Sequence, residues 1–414
     1  MHYEMEQEEH DVYPDDPDFD INKARLVTTA PRICVRYECV PMRFIKHVYK
    51  IHTYAQDGCL FEGKTPVSAF LNSSYDGSFI AGLMELRYIQ SLPVERIINY
   101  FESHGFTLKK PTAHKLMEKA SSLFENLYKC IRQTALSDPY KAADETYYKI
   151  LVPEKNSKGK GVRKGYLWVV VGINTRMIYL LYDDGSRSEK VILNELGGCK
   201  GIIQSDGYSP YRKLESDAYP HITRIPCLQH IKRKFIDCGE DDPDAKRIVE
   251  MINTLYQNEH KHKIGVDGWT VEQNLVHRKK YAPDILGEIK DVLDDIEERG
   301  DLLPKSELKE AITYLRNEWN AVVDIFNYGD TYLDNNIVER MNRYISLSRK
   351  NSLFFGSHKG AERGAILYTI ALTCRMNKVN LFEYLTDVIN RTAEWQPNTP
   401  LEKYRPVSYT HLRA

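Results

Sequence analysis

Five short apolar runs between residues 142 and 226 constrain this chain more than any other feature. AADETYYKILVP, GYLWVVVGIN and MIYLLYDDG are separated by the Gly/Lys loop NSKGKGVRKG and the turn Asn174-Thr175-Arg176, a spacing that predicts three adjacent antiparallel strands. A helical stretch, the run Gly201-Ile202-Ile203-Gln204, another helical stretch and the run ITRIP then follow. Strands that alternate with helices in this way predict an α/β domain with a mixed sheet flanked by helices. Asp144 opens the first run, and Asp206, in QSDGY, lies just past the fourth. Both aspartates stand where a strand begins or ends.

A second stretch, Tyr332 to Arg363, supplies what two aspartates lack. Its centre, DNNIVERMNRY, reads as the start of a helix: Asp334 is a good N-cap, and Ile337, Met341 and Tyr344 recur along one face. Glu339 falls in the first two turns, with Asn335 and Asn336 four and three residues before it and able to share its face. Arg340, Arg343, Arg349 and Lys350 make the surroundings basic. Alone, the stretch would read as a solvated charged helix face. Together with Asp144 and Asp206 it completes a set of three hard oxygen ligands, which can hold two divalent ions about an in-line phosphoryl displacement.

ADET, QSDGY, CLQHIKRKF, LDNNIVER, SRKNSLFFGS and GAERGAILY, in this order, resemble the motifs of the insertion-sequence-66 family of DDE transposases, from about Ala69 to about Tyr404. The resemblance implies a ribonuclease-H-like catalytic domain in which Asp144, Asp206 and Glu339 are both catalytic and metal-binding, with two Mg²⁺ or Mn²⁺ ions. It implies hydrolysis at transposon ends and transfer of the freed 3′-hydroxyl into target DNA. The implied partners are double-stranded DNA (terminal inverted repeats and target), a second copy or higher multimer in the synaptic complex, and accessory proteins of the same element. Two rivals keep the fold: a catalytically inactive DNA-binding relative, and a nuclease without strand transfer. A serine recombinase is disfavoured, because Ser205 and Ser209 lack a nearby base.

Composition agrees with a nucleic-acid partner only once the N-terminus is set aside. The 414 residues carry a net charge of −1, yet residues 1–20 hold nine acidic residues and no Lys or Arg, leaving roughly +8 on the rest. No run of about 18 apolar residues and no signal pattern is present, so a cytoplasmic, nucleoid-associated bacterial protein with no membrane contact is expected. The eight cysteines are scattered without a repeated CxxC, which points to reduced thiols. In the resembled family a small zinc module precedes the helical part. Here Cys34, Cys39, His52 and Cys59 lack the paired spacing, so a degenerate finger without zinc is expected.

In chain order, residues 1–24 read as an acidic disordered arm, 25–66 as a degenerate zinc-finger-like β module, and 67–137 as a helical, helix-turn-helix-like DNA-binding region. LPVERIINYFESHG and TAHKLMEKASSLFENLY form the two helices about FTLKKP; Thr112, His114, Lys115 and Lys119 would meet a groove, with Lys109 and Lys110 on phosphate. A helical hairpin packed on the catalytic domain fits the same pattern. Residues 138–239 form the first part of the catalytic domain, 240–330 a helical insertion, 331–404 the glutamate helix with C-terminal helices, and 405–414 a non-native tail. The basic loop Lys155–Lys164 and Arg187 could touch DNA backbone, as could Lys232, Arg233, Arg340, Arg343, Arg349 and Lys350. Cys227 and His230 share a helical face; His230 reads as a DNA-contacting or supporting residue, and metal ligation by the pair is disfavoured.

Overall fold

The computed structural model describes residues 6–28, 30–40, 43–66, 70, 73–155, 159, 161–239, 241–391 and 399–408. Lys158 and Lys160 of the basic loop and the last six residues of the expected tail lie outside the described residues. The chain opens with β1 (Glu6–Val12), β2 (Arg25–Leu26), β3 (Arg32–Val40), β4 (Arg43–Ile51), β5 (Thr53–Gln56) and β6 (Cys59–Glu62). They make two three-stranded sheets, ordered β1-β4-β3 and β2-β5-β6. Residues 6–12, expected within a disordered arm, are instead a strand parallel to β4. Charge compensation is the physical reason: Glu9 pairs with Lys50 at 2.6 Å and Asp11 with His52 at 2.9 Å, so the acidic strand sits against cationic and imidazole groups.

Helices α1 (Gly77–Met84), α2 (Val94–Ser103), α3 (Lys110–Leu123) and α4 (Glu125–Ser137) follow, with a π-helical turn at Glu85–Ile89. Asp76 caps α1 by accepting the Ser78 N–H at 2.9 Å, and Pro111 stands in the first turn of α3, where no N–H is needed. Gly105, at φ +84°, turns the chain between α2 and α3.

The central sheet contains β7 (Tyr140–Leu151), β8 (Val162–Gly172), β9 (Met177–Leu181), β10 (Gly201–Ser205) and β11 (Ile222–Pro226), in the order β11-β10-β7-β8-β9. β7, β8 and β9 are antiparallel neighbours, whereas β10 is parallel to β7 and β11 to β10. α5 (Glu189–Leu196) and the short α6 (Ser209–Arg212) lie between them, and α7 (Leu228–Ile236) leaves β11. The expected alternation of runs and helices is therefore the observed one. β7 starts at Tyr140, two residues earlier than the apolar run, so Asp144 stands in the strand's interior rather than at its start.

The long stretch before Glu339 is helical: α8 (Pro243–Glu259), α9 (Val271–Glu298) and α10 (Glu307–Ile325). α9 opens on a capping box between Thr270 and Gln273. These helices bury Ile248, Leu255, Leu293 and Ile312 together with Leu228 and Ile231 of α7 as one core. Arg278, fully buried, ties α9 to the strap beyond α10 by donating to the carbonyl of Tyr328 at 2.5 Å and the hydroxyl of Thr331 at 2.7 Å. α11 (Asn336–Asn351), α12 (His358–Met376) and α13 (Leu381–Arg391) close the fold. α12 meets β9 through side-chain bonds as well as apolar packing: the Leu180 N–H donates to Thr369 Oγ1 at 2.9 Å, and Thr373 Oγ1 to the Ile178 carbonyl at 2.9 Å.

Candidate active site

Strand register explains why two distant aspartates meet. In the parallel pair, Gln204 of β10 lies opposite Ala142 of β7, so Asp206, one residue past the end of β10, comes near enough to Asp144, two residues further along β7, for its charge to act on that carboxyl. Asp144 is half-buried, and its carboxyl is pushed up to about 8, first by loss of water and then by the charges of Asp206 and Glu145. Two donors oppose the shift: the Glu145 N–H on Oδ1 at 2.7 Å and the Asn342 side-chain amide on Oδ2 at 2.6 Å.

The Asp206 loop is held from behind by groups that sequence reasoning missed. Arg224, buried in ITRIP, donates to the Asp206 carbonyl and to Glu318 Oε2 at 2.6 Å each, to Ser205 Oγ at 2.9 Å and to Glu215 Oε1 at 2.5 Å. The Gly207 N–H donates to the Tyr314 hydroxyl at 2.8 Å. Glu318 and Tyr314 both lie on α10, so that helix supports the loop that carries Asp206. An arginine inside an apolar run carries no periodic signal of such a network.

α11 docks on β7 through its asparagines. The Asn335 side chain, 1 % exposed, donates to the Ala143 carbonyl at 3.0 Å, and Asn342 reaches Asp144 two turns later. The helix cap is Asn335 rather than Asp334, whose carboxylate instead accepts the Asn336 N–H at 3.1 Å. The Asn335 N–H donates to Cys227 Sγ at 3.2 Å, which joins the start of α7 to that of α11. Asn336, expected beside Glu339, is exposed.

Glu339 lies between Asn335 and Asn342 on the same helix face, but its carboxylate faces α7. Oε1 is 3.5 Å from His230 Nδ1, and Oε2 is 3.7 Å from Arg233. Donor atoms of Cys227, His230 and Glu339 lie within 4.8 Å of one another; among the described residues Asp144, Asp206 and Glu339 do not form such a set. Burial pushes the Cys227 thiol up to about 12 in the metal-free protein. Among the described residues, Oδ1 of Asn335 and Asn342, Oε1 of Glu339 and Nδ1 of His230 are buried with no hydrogen-bond partner. Unsatisfied oxygens next to the partly desolvated Asp144 carboxyl fit a hard divalent cation.

The expected DNA-contacting residues divide into two groups. Arg187 already serves Glu145, donating at 2.5 and 3.1 Å while stacked 4.2 Å from the ring centre of Tyr208. Arg349 donates to the Tyr147 carbonyl at 2.5 Å and lies 3.9 Å from that residue's ring centre, pinning α11 to β7. Lys232 and Lys119 rest over Tyr256 and Phe70. Lys109, Lys115, Arg340, Arg343 and Lys350 are exposed, Arg233 is exposed beside Glu339, and Thr112 is half-buried. Lys110, paired with Glu95, and His114 line a cleft of about 540 Å³ with Arg87, Leu353, Phe354 and Arg363. Glu145 joins the acidic cluster without having been singled out. Burial raises its carboxyl, and the Tyr211 hydroxyl donates to it at 3.4 Å.

Three uncharacterized proteins of Sinorhizobium fredii (strain NBRC 101917 / NGR234) are similar to the chain: y4jD is 26% identical over 75% of the chain and 61% of its own length, and y4qI is 26% identical over 90% and 70%. The third, y4hP, is 24% identical over 95% of the chain and 76% of its own length. The chain thus spans about three fifths to three quarters of these relatives. Residues 72–363, which contain Asp144, Asp206, Glu339 and the whole central sheet, match the sequence model described as Transposase IS66 family, and the chain belongs to that family.

Proposed function

We propose that this protein is the DNA transposase of an insertion sequence, cutting phosphodiesters at transposon ends and joining the freed 3′-hydroxyl to target DNA. The observation that carries the reading is the pairing of Asp144, inside β7, with Asp206, just past the end of the parallel β10, with the Glu339 helix fastened to Asp144 through Asn342. The sheet order β11-β10-β7-β8-β9, with three antiparallel strands and two parallel ones, supports a ribonuclease-H-like catalytic domain. α2 and α3 then serve as a helix-turn-helix-like DNA-binding region, and α8–α10 as the insertion. The protein would act in the bacterial cytoplasm on double-stranded DNA, as a homodimer or higher multimer in the synaptic complex, with accessory proteins of the element.

Asp144, Asp206 and Glu339 would hold two Mg²⁺ or Mn²⁺ ions, which when bound acidify the attacking water and neutralise the leaving oxygen. The protein's own groups prepare that site. Asn342 keeps Asp144 oriented and favours its ionised form, while Arg224 and Tyr314 fix the loop of Asp206. Exposed Arg340, Arg343 and Lys350 offer charge to DNA phosphates next to Glu339. No covalent protein–DNA intermediate is needed.

A second reading, a DNA-binding relative without cleavage, draws support from the contact of Glu339 with His230 and Arg233 rather than with the aspartates. One experiment separates the two: cleavage and joining of a matched element end in Mn²⁺, comparing the intact protein with Asp206→Ala. Transposase action requires products from the former alone, with end binding kept by both. Cleavage without joining would leave a nuclease, and binding without Mn²⁺-dependent nicking would leave the DNA-binding relative.

A further inference from the structure

The N-terminal sheets hold a cluster that plays no part in the acidic site. β1 lies parallel to β4 with Glu8 opposite His47 and His10 opposite Tyr49. His10 Nε2 and His47 Nδ1 are 3.2 Å apart, and Glu8 Oε2 is 3.6 Å from the first and 3.7 Å from the second. The four-coordinate geometry of zinc, with ligand bonds of about 2.1 Å, separates neighbouring ligand atoms by about 3.4 Å. The triangle therefore has the edge lengths of three zinc ligands.

The far side of His47 is prepared as well. Its Nε2 bonds Glu38 Oε2 at 2.8 Å, an arrangement that places the proton on Nε2 and leaves the Nδ1 lone pair facing His10 and Glu8. His10 packs against the rings of both His47 and Tyr49, each 5.4 Å away between centroids. His47 is largely covered, at 14% side-chain exposure, whereas His10 and Glu8 are 44% and 45% exposed, so solvent can supply the fourth ligand and the ion can enter.

We propose that Glu8, His10 and His47 form a zinc site, supported by Glu38, that staples β1 to β4. The site uses none of the scattered cysteines, and its role is to reinforce an acidic edge strand whose parallel ladder to β4 is otherwise supplemented by surface ion pairs worth little each.

The test is zinc uptake by the full chain, measured by equilibrium dialysis at neutral pH, for the wild type, His10→Ala and Glu38→Gln. Wild type should retain one more zinc equivalent than His10→Ala, whose exposed side chain can be removed without harm to the fold. Glu38→Gln should bind that equivalent about 10–100-fold more weakly. Zinc should also slow proteolysis within residues 6–12 of the wild type, and a chelator should restore it. Equal uptake by wild type and His10→Ala, including none by either, would overturn the site and leave an N–H···N hydrogen bond between the two imidazoles.

Discussion

The side-chain amide of Asn342 donates to Asp144 Oδ2 at 2.6 Å, joining the middle of α11 to the interior of β7 across 198 residues of chain. This bond places the Glu339 helix on the strand of the first aspartate. Replacing Asn342 with Ala removes a donor from a half-buried carboxylate and one of the polar ties between the two elements, leaving those of Asn335 and Arg349. Activity under the transposase reading should fall about 10–100-fold, as for other partners of metal-holding groups. End binding, measured by gel shift, should be unchanged. Equal loss of binding would show that Asn342 contributes to DNA recognition instead.

The raised carboxyl of Asp144 has a consequence for stability in the absence of metal. A folded-state value of about 8 lies above the ordinary value of 3.8, so the folded protein binds this proton more tightly than the unfolded chain. The stabilising contribution is complete below about pH 4 and is lost as pH rises through about 8. In chelator, therefore, wild type should lose more of its Tm between pH 6 and pH 9 than Asp144→Asn, measured by thermal unfolding. Mg²⁺ should restore the wild-type Tm at the upper end and have little effect on the variant.

Arg224 and Glu318 form a fully buried pair at 2.6 Å behind the Asp206 loop. Removing one partner leaves an uncompensated charge in the interior, so Arg224→Ala should cost about 3–5 kcal/mol in urea unfolding. The milder Tyr314→Phe removes only the acceptor of the Gly207 N–H, at a cost of about 1–3 kcal/mol. Its cleavage rate should fall while the fold persists. Gly207→Ala tests the same contact from the other side, since a Cβ there would come within 2.5–2.7 Å of the Tyr314 ring and hydroxyl.

Glu259 gives the opposite pH behaviour. Although burial acts to raise its carboxyl, the hydrogen bonds and charge of Arg278 hold it below the ordinary value. Its contribution is thus present at neutral pH and lost as pH falls through the carboxylate range. Urea midpoints of wild type and Glu259→Gln should differ at pH 7 and converge on acidification toward pH 3. A constant gap would mean that Glu259 acts through packing rather than charge.

Much of this arrangement is legible in the residues themselves. Strand runs, helix periodicity and the three acidic motifs are local patterns, because the backbone period and the turn residues are written within a few neighbours of each position. The order of strands and helices in the central sheet and the helical nature of residues 243–325 follow from them. Local pattern misplaced what depends on partners. The acidic arm gains a strand through its parallel ladder to β4, with Lys50 and His52 offsetting its charge, and the start of β7 is set by its pairing with β10.

The chain by itself determined which side chains are available for chemistry: Asp144, Asp206 and Glu339, each in a distinct local setting. Tertiary structure alone decided the parallel register that sets Asp206 beside Asp144, the choice of Asn342 as their link to α11, and the burial of Arg224 under the loop. It also turned Arg187 and Arg349, expected on phosphate, toward Glu145 and β7. Register, burial and pairing are sums over contacts between segments tens to hundreds of residues apart, and no window of neighbouring residues contains them.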